Sequence, residues 1–245
     1  MKFLTLTLTQ ALLALASVAG AVEPSQQLFD KVAAAYGAAP AAIRETGSTT
    51  SRQRGSGALV RLFKAPNLFR SEISYSSGME VRTLRGALAW HQNTPANPMQ
   101  RGAVVLQAAR IALPWNLLSA RASAIDLGAA LTAQGQSVRI IELGLEPQLK
   151  LVVEIETETG HMLRSRGIQS IGAGAMEFST DYSDFRSANG RVHAGREEQF
   201  VMGQHIATSL IDKVEYPATI PDSAFMPGAF QTAQRPAASD LLATR

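Results

Sequence analysis

The sequence predicts a mainly β protein with helices: a strongly bent or incomplete antiparallel barrel. Three observations point to it. About ten or eleven short segments alternate apolar and polar residues, the period of a strand with one buried face. Tight turns such as Arg85-Gly86, Thr159-Gly160 and Asn189-Gly190 join many of them. One helical segment precedes the strands, and an apolar helical insertion divides them into two groups. An open sheet of that size curls, and the helices can bury their apolar surface only at its mouth or concave face.

The elements follow in order. Pro24 suits a first helical turn, Leu28, Val32, Ala35 and Tyr36 recur at helical spacing, and Gly37 and Pro40 end the helix. Strand character begins at Ile43. "GALVRLFKAP" alternates in part and stops at proline. "NLFRSEISY" places Phe69, Ile73 and Tyr75 opposite Arg70, Glu72 and Ser74, and "MEVRTL" sets Met79 and Val81 against Glu80 and Arg82. "ALAWHQ" completes an antiparallel meander. Pro95 and Pro98 then interrupt the series. Two short helices are expected over 102–111 and 115–123, the second carrying Trp115, Leu117, Leu118 and Ile125. Strands resume with "SVRIIELGL", and Leu149, Leu151, Val153 and Ile155 form an apolar row expected to be plain core. In "AMEFSTDY", Met176, Phe178, Thr180 and Tyr182 are expected to point inward, with Glu177, Ser179 and Asp181 outward. Ile206, Leu210, Val214 and Tyr216 share a parity in the last strand, which Pro217 ends.

The chain has 245 residues. Lys2, the uncharged stretch from Phe3 to Val18 and the small residues of Ala19-Gly20-Ala21 predict a secretory signal over 1–21, cleaved after Ala21. An uncleaved anchor is the alternative, weakened by Thr5, Thr7, Thr9, Gln10 and Ser17. The folded domain is expected over 22–228 and a flexible tail over 229–245. The absence of cysteine excludes disulfides, thiolate nucleophiles, cysteine metal sites and lipid attachment to an N-terminal cysteine. A net charge of +3 is too mild to argue for nucleic acid. The arginines at 44, 52, 54, 61 and 70 read first as strand-surface charge. Their alternative role is contact with anionic lipid heads or an acidic partner.

Three stretches, in this order, resemble the periplasmic outer-membrane lipoprotein carriers (the LolA-like and LolB-like fold). "LFKAPNLFRSEIS" is similar to that family's basic-x-Pro-Asn-x-Phe-Arg turn. "LRGALAW" stands where the family has Asp-Gly, an apolar residue and Trp. "IETETGHMLR" through "FSTDYSDFRSANGRVHAGREEQF" to "IDKVEYPATIPDSAFMPG" follows its closing strands and final Pro-Asp-x-x-Phe loop. The resemblance implies an unclosed half-barrel under a helical lid, whose lining holds acyl chains in transit across the periplasm. Each buried methylene of such a chain contributes about 0.8 kcal/mol.

Cavity and lid candidates are Phe69, Ile73, Tyr75, Val81, Trp90, Trp115, Leu117, Leu118, Met176, Phe178 and Tyr182. Catalysis finds little support. His91, His161, His193 and His205 show no paired metal-ligand spacing, and no nucleophile elbow, phosphate loop or dinucleotide fingerprint occurs. The function expected is therefore a periplasmic, monomeric, non-enzymatic carrier of lipoprotein or lipid. It needs no cofactor or metal, and the resemblance implies inner- and outer-membrane transport partners. A lipid-responsive sensor domain on the same scaffold is the alternative, and an exported hydrolase ranks below both.

Overall fold

The structure is a computed structural model and describes residues 24–228. The signal segment 1–21 and the tail 229–245 lie outside the described residues. One helix, α1 (Pro24–Tyr36), precedes β1 (Ala42–Ser51), β2 (Gly55–Lys64), β3 (Leu68–Tyr75), β4 (Gly78–Arg85), β5 (Leu88–His91) and β6 (Thr94–Pro95). The insertion forms α2 (Pro98–Ile111) and α3 (Leu113–Ser119). Then come β7 (Ile125–Leu131), β8 (Ser137–Glu146), β9 (Leu149–Glu156), β10 (Met162–Ile171), β11 (Gly174–Ala188), β12 (Arg191–Val201) and β13 (Gln204–Glu215). A short 3-10 helix, Asp222–Phe225, closes the described chain.

The strands form one antiparallel sheet in the order β6-β5-β4-β3-β2-β1-β13-β12-β11-β10-β9-β8-β7. Each strand group is thus a meander, and β1 pairs with β13 at the centre. The edges β6 and β7 do not pair, so the barrel stays unclosed. The expected fold class holds. Two elements went unforeseen, the two-residue β6 and the edge strand β7. Ile125 belongs to β7 and is exposed, not part of a lid helix.

The concave face carries two apolar clusters. One joins Leu149, Leu151, Val153 and Ile155, the row expected to be core, to Leu28, Val32 and Tyr36 of α1, to Leu106 of α2 and to Leu113 and Leu117 of α3. The other joins Ile43, Leu59, Phe63, Phe69 and Leu84 to Val104, Ala108 and Ile111 of α2. Helix α2 therefore bridges both lips of the half-barrel. It starts earlier than expected because Pro98 occupies its first turn and Asn97 caps it: the Asn97 side chain accepts from the Gln100 backbone N–H at 2.9 Å, and Gln100 reciprocates at 3.1 Å. The helix lies close to β10. A Cβ on Gly167 would meet Leu106 Cδ2 at 2.5 Å, and one on Gly102 would meet the Gln169 amide at 2.4 Å.

The loop ending in Phe225 and Met226 covers part of the convex face. Phe225 is fully buried against Ala42, Val60, Leu62 and Ile220. Arg70, only 1% exposed, donates to Glu72 at 2.6 Å and to the Met226 carbonyl at 2.9 Å. The Phe-Arg turn and the final loop, far apart in sequence, thus lock together on the outside. Farther along that face, Arg164 pairs with Asp181 at 3.3 Å and Arg196 with Glu198 at 2.7 Å. Bulges shift parity in places. Ile211 faces Gly47 and Lys213 faces Thr46, leaving Asp212 unpaired, so Leu210 lies outside while Val214 lies inside; a second shift, at Gln199/Phe200, leaves Ile206 at the mouth of the inner face. The shared parity of those residues in the sequence does not survive the bulge.

Candidate functional site

Between the two apolar clusters, under α2, runs a continuous groove. Its outer part is a cavity of about 990 Å³ between the β1–β2 turn, the β12–β13 turn and α2, at the upper end of typical ligand sites. Ile73, Tyr75, Val104, Met176, Phe178, Val201 and Ile206 form apolar wall, and Arg52, Arg54, Glu80, Arg82, His91 and His205 form polar lining. Inward, the groove narrows to spaces of about 90 and 70 Å³, the last lined by Tyr36, Trp115, Tyr182 and Tyr216.

The floor of the narrow part is charged. Arg61 donates two hydrogen bonds to Glu197, at 2.9 and 2.8 Å, and its Nε lies 2.8 Å from Glu45. Burial opposes the Arg61 charge, but Glu197 and then Glu45 outweigh it and raise its titration point. Burial pushes the Glu45 carboxyl up to about 7; Arg61 counters this and Glu197 adds to it. Two carboxylates share one guanidinium, so one of them is poorly neutralised. Arg110 of α2 reaches down to Ser165 Oγ (2.9 Å) and the Phe178 carbonyl (2.6 Å), and burial lowers its titration point. The Tyr182 hydroxyl lies 2.8 Å from Ser165 Oγ, and burial raises its pKa to about 12. Thr49, Ser209 and Gln199 continue this polar strip towards the mouth, with Thr49–Ser209 at 2.9 Å and Gln199–Ser209 at 3.0 Å.

Sequence reasoning missed this strip. Its signal was present: Leu59, Arg61 and Phe63 share one parity in β2, as do Ile43 and Glu45 in β1. A charge within an apolar row marks either an inward polar group or a shift of register.

The candidate residues divide by place. Ile73, Tyr75, Met176 and Phe178 line the wide cavity, while Trp115 and Tyr182 line its narrow end. Trp115 donates to the Gly37 carbonyl at 3.1 Å and meets Tyr216 edge-on at 6.3 Å. Phe69 and Leu117 are fully buried in the apolar clusters, and Leu118 packs against one of them. Val81 and Trp90 require correction. Val81 pairs with Glu72 and Trp90 with Thr83, residues of the convex face, so both lie outside the groove. Glu80 and Arg82 take the inward positions instead. The alternation in "MEVRTL" was legible, but apolar residues were assigned to the inside by default. On this strand both sides hold buried residues, Val81 and Thr83 on the convex one and Leu84 on the concave one.

No family model and no curated protein matches the sequence. Among solved structures, a LolA superfamily protein from Nitrosomonas europaea superposes with a TM-score of 0.56 at 12% identity, over 82% of this chain and 97% of that one. The fold is LolA-like. A domain from Vibrio parahaemolyticus, assigned to outer membrane lipoprotein sorting, has a TM-score of 0.50 at 8% identity, over 83% of this chain and 94% of that one. At such identities the likeness is one of fold. The LolA-like scaffold accounts for the unclosed sheet and for helices seated on its concave face. The composition of the groove is this chain's own.

Proposed function

We propose that this LolA-like protein is a periplasmic carrier that shelters the acyl chains of lipoproteins or other lipids in its half-barrel and moves them towards the outer membrane. One observation carries this function: the cavity of about 990 Å³ whose apolar walls, Ile73, Val104, Met176, Phe178 and Val201, meet beneath a helix bridging both lips of an unclosed sheet. Burial of apolar surface there contributes roughly 25 cal/mol per Å² without directional contacts, so a chain is held yet can leave. The predicted signal segment supports export. A monomeric carrier without cofactor, meeting transport partners at the inner and outer membranes, fits the same picture.

The narrow inner groove gives α2 and α3 a mechanical role. At about 70 Å³, the space beside Trp115 and Tyr216 holds no long chain, so a ligand that enters there must lift the helices. Titration of detergent-free protein with a fluorescent fatty-acid probe tests the function. Saturable binding that weakens in Phe178→Asp and Met176→Asp is expected. Absence of binding by the folded wild type would contradict it.

A further inference from the structure

The charges of the groove are sorted along its length. The narrow end holds two carboxylates, Glu45 and Glu197, balanced by Arg61, which bridges them, and by Arg110, which lines the whole groove. The wide cavity holds four arginines, Arg52, Arg54, Arg82 and Arg110, and two histidines, with Glu80 as its sole carboxylate. Glu80 is shared. Arg54 Nη1 lies 3.0 Å from one of its oxygens, and Arg82 pairs with the other. Arg54 also stacks 4.7 Å over the Tyr75 ring, which fixes it at the cavity wall. Arg52, exposed on the β1–β2 turn, donates only a 3.3 Å hydrogen bond to the His205 carbonyl and has no carboxylate partner among the described residues. The mouth is therefore in excess of positive charge directly beside apolar wall.

We propose that this cavity takes an amphiphile with an anionic head, a phosphate or carboxylate, seated between Arg52, Arg54 and Arg82, with its apolar tail along Ile73, Met176 and Phe178. A guanidinium fork suits either anion. The narrow end, where Arg61 already bridges Glu45 and Glu197, offers no comparable excess of positive charge, so the charge order also favours one orientation, head at the mouth and tail inward. The inference rests on the carrier function above and adds to it the class of cargo.

The test is competition for the fluorescent fatty-acid probe by oleate, oleoyl lysophosphatidate, uncharged monoolein and inorganic phosphate, at low and high salt. Both anionic amphiphiles should bind roughly tenfold more tightly than monoolein, the worth of one charge-assisted hydrogen bond. The advantage should shrink at high salt. Arg52→Ala, on an exposed turn, should reduce the advantage, and Glu80→Gln should increase it. Monoolein affinity measured in the same two variants is the reference against which the anion advantage is taken. Equal binding of monoolein and the anions would overturn the head-group proposal and leave the carrier function standing. Phosphate alone competing as well as lysophosphatidate would overturn it in favour of a free-anion site. If none of the lipids competed and the probe itself did not bind, the carrier function would fail as well.

Discussion

Arg61 on β2 and Glu197 on β12, 136 positions apart, join by two parallel hydrogen bonds of 2.9 and 2.8 Å on the inner face of the half-barrel. A carrier wall would be expected to be apolar here. Instead the strip ties β2 to β12 across β1 and β13, at the centre of the sheet where the two meanders meet. Arg61→Met removes the shared cation and leaves Glu45 and Glu197 facing each other. A loss of about 3–5 kcal/mol is expected in chemical denaturation, the cost of breaking a buried pair. Adding Glu45→Gln and Glu197→Gln to Arg61→Met should recover most of it. A single variant as stable as the wild type would show that the pair contributes nothing net.

The same cluster sets a pH dependence. The Glu45 carboxyl ordinarily titrates at 4.5 and in the fold near 7. Between those values the folded state holds a proton that the unfolded chain has released. Stability from this group therefore falls as pH rises through that window, and the penalty is complete above it. Glu45→Gln should flatten the profile. It should gain on the order of 1–3 kcal/mol over the wild type at pH 8 and change little at pH 5. Melting curves of both proteins across that range check it; a parallel profile in the variant would assign the dependence to other groups.

Helix α2 sits close to the sheet because Gly167 has no side chain. Gly167→Val would drive a branched side chain into Leu106, which is fully buried. The expected cost is about 1–3 kcal/mol of overpacking. Faster hydrogen exchange should follow in α2 but not in β1–β3. Unchanged exchange in α2 would show that the helix rides free of this contact.

On β11 the two faces should behave differently. Phe178 lines the cavity and is only half-buried, so Phe178→Ala should weaken probe binding while costing about 1–2 kcal/mol of stability. Asp181 pairs with Arg164 on the outer face, both side chains more than a third exposed. Asp181→Ala should leave binding intact and shift stability by less than about 1 kcal/mol. Loss of function in folded Asp181→Ala would make the acids the working groups.

Much of the fold was legible because strands with one buried face write their period into the sequence. Met176, Phe178 and Tyr182 were assigned inward from alternation alone, and all three line the groove. The failures have separate causes. Val81 and Trp90 are apolar residues of a convex face that also carries buried Arg70, Glu72 and Thr83, so apolar character alone did not tell inside from outside. Leu210 was separated from Val214 by a bulge that leaves no local signature. Ile125 read as helix and the rest of its strand went unassigned, because an edge strand with Ile125, Leu127 and Leu131 exposed lacks the polar alternation of a half-buried one. The charged strip was hidden by the expectation that a lipid container is apolar throughout. Arg61 in the apolar row of β2 was the clue.

The most direct test of the carrier function is native mass spectrometry of the full-length protein expressed in its own cells and purified without detergent. A carrier should show a population heavier than the polypeptide by one amphiphile, which collision releases as a lipid ion and which Phe178→Asp lacks. Polypeptide mass alone, from wild-type protein that is folded and freshly isolated, would contradict it.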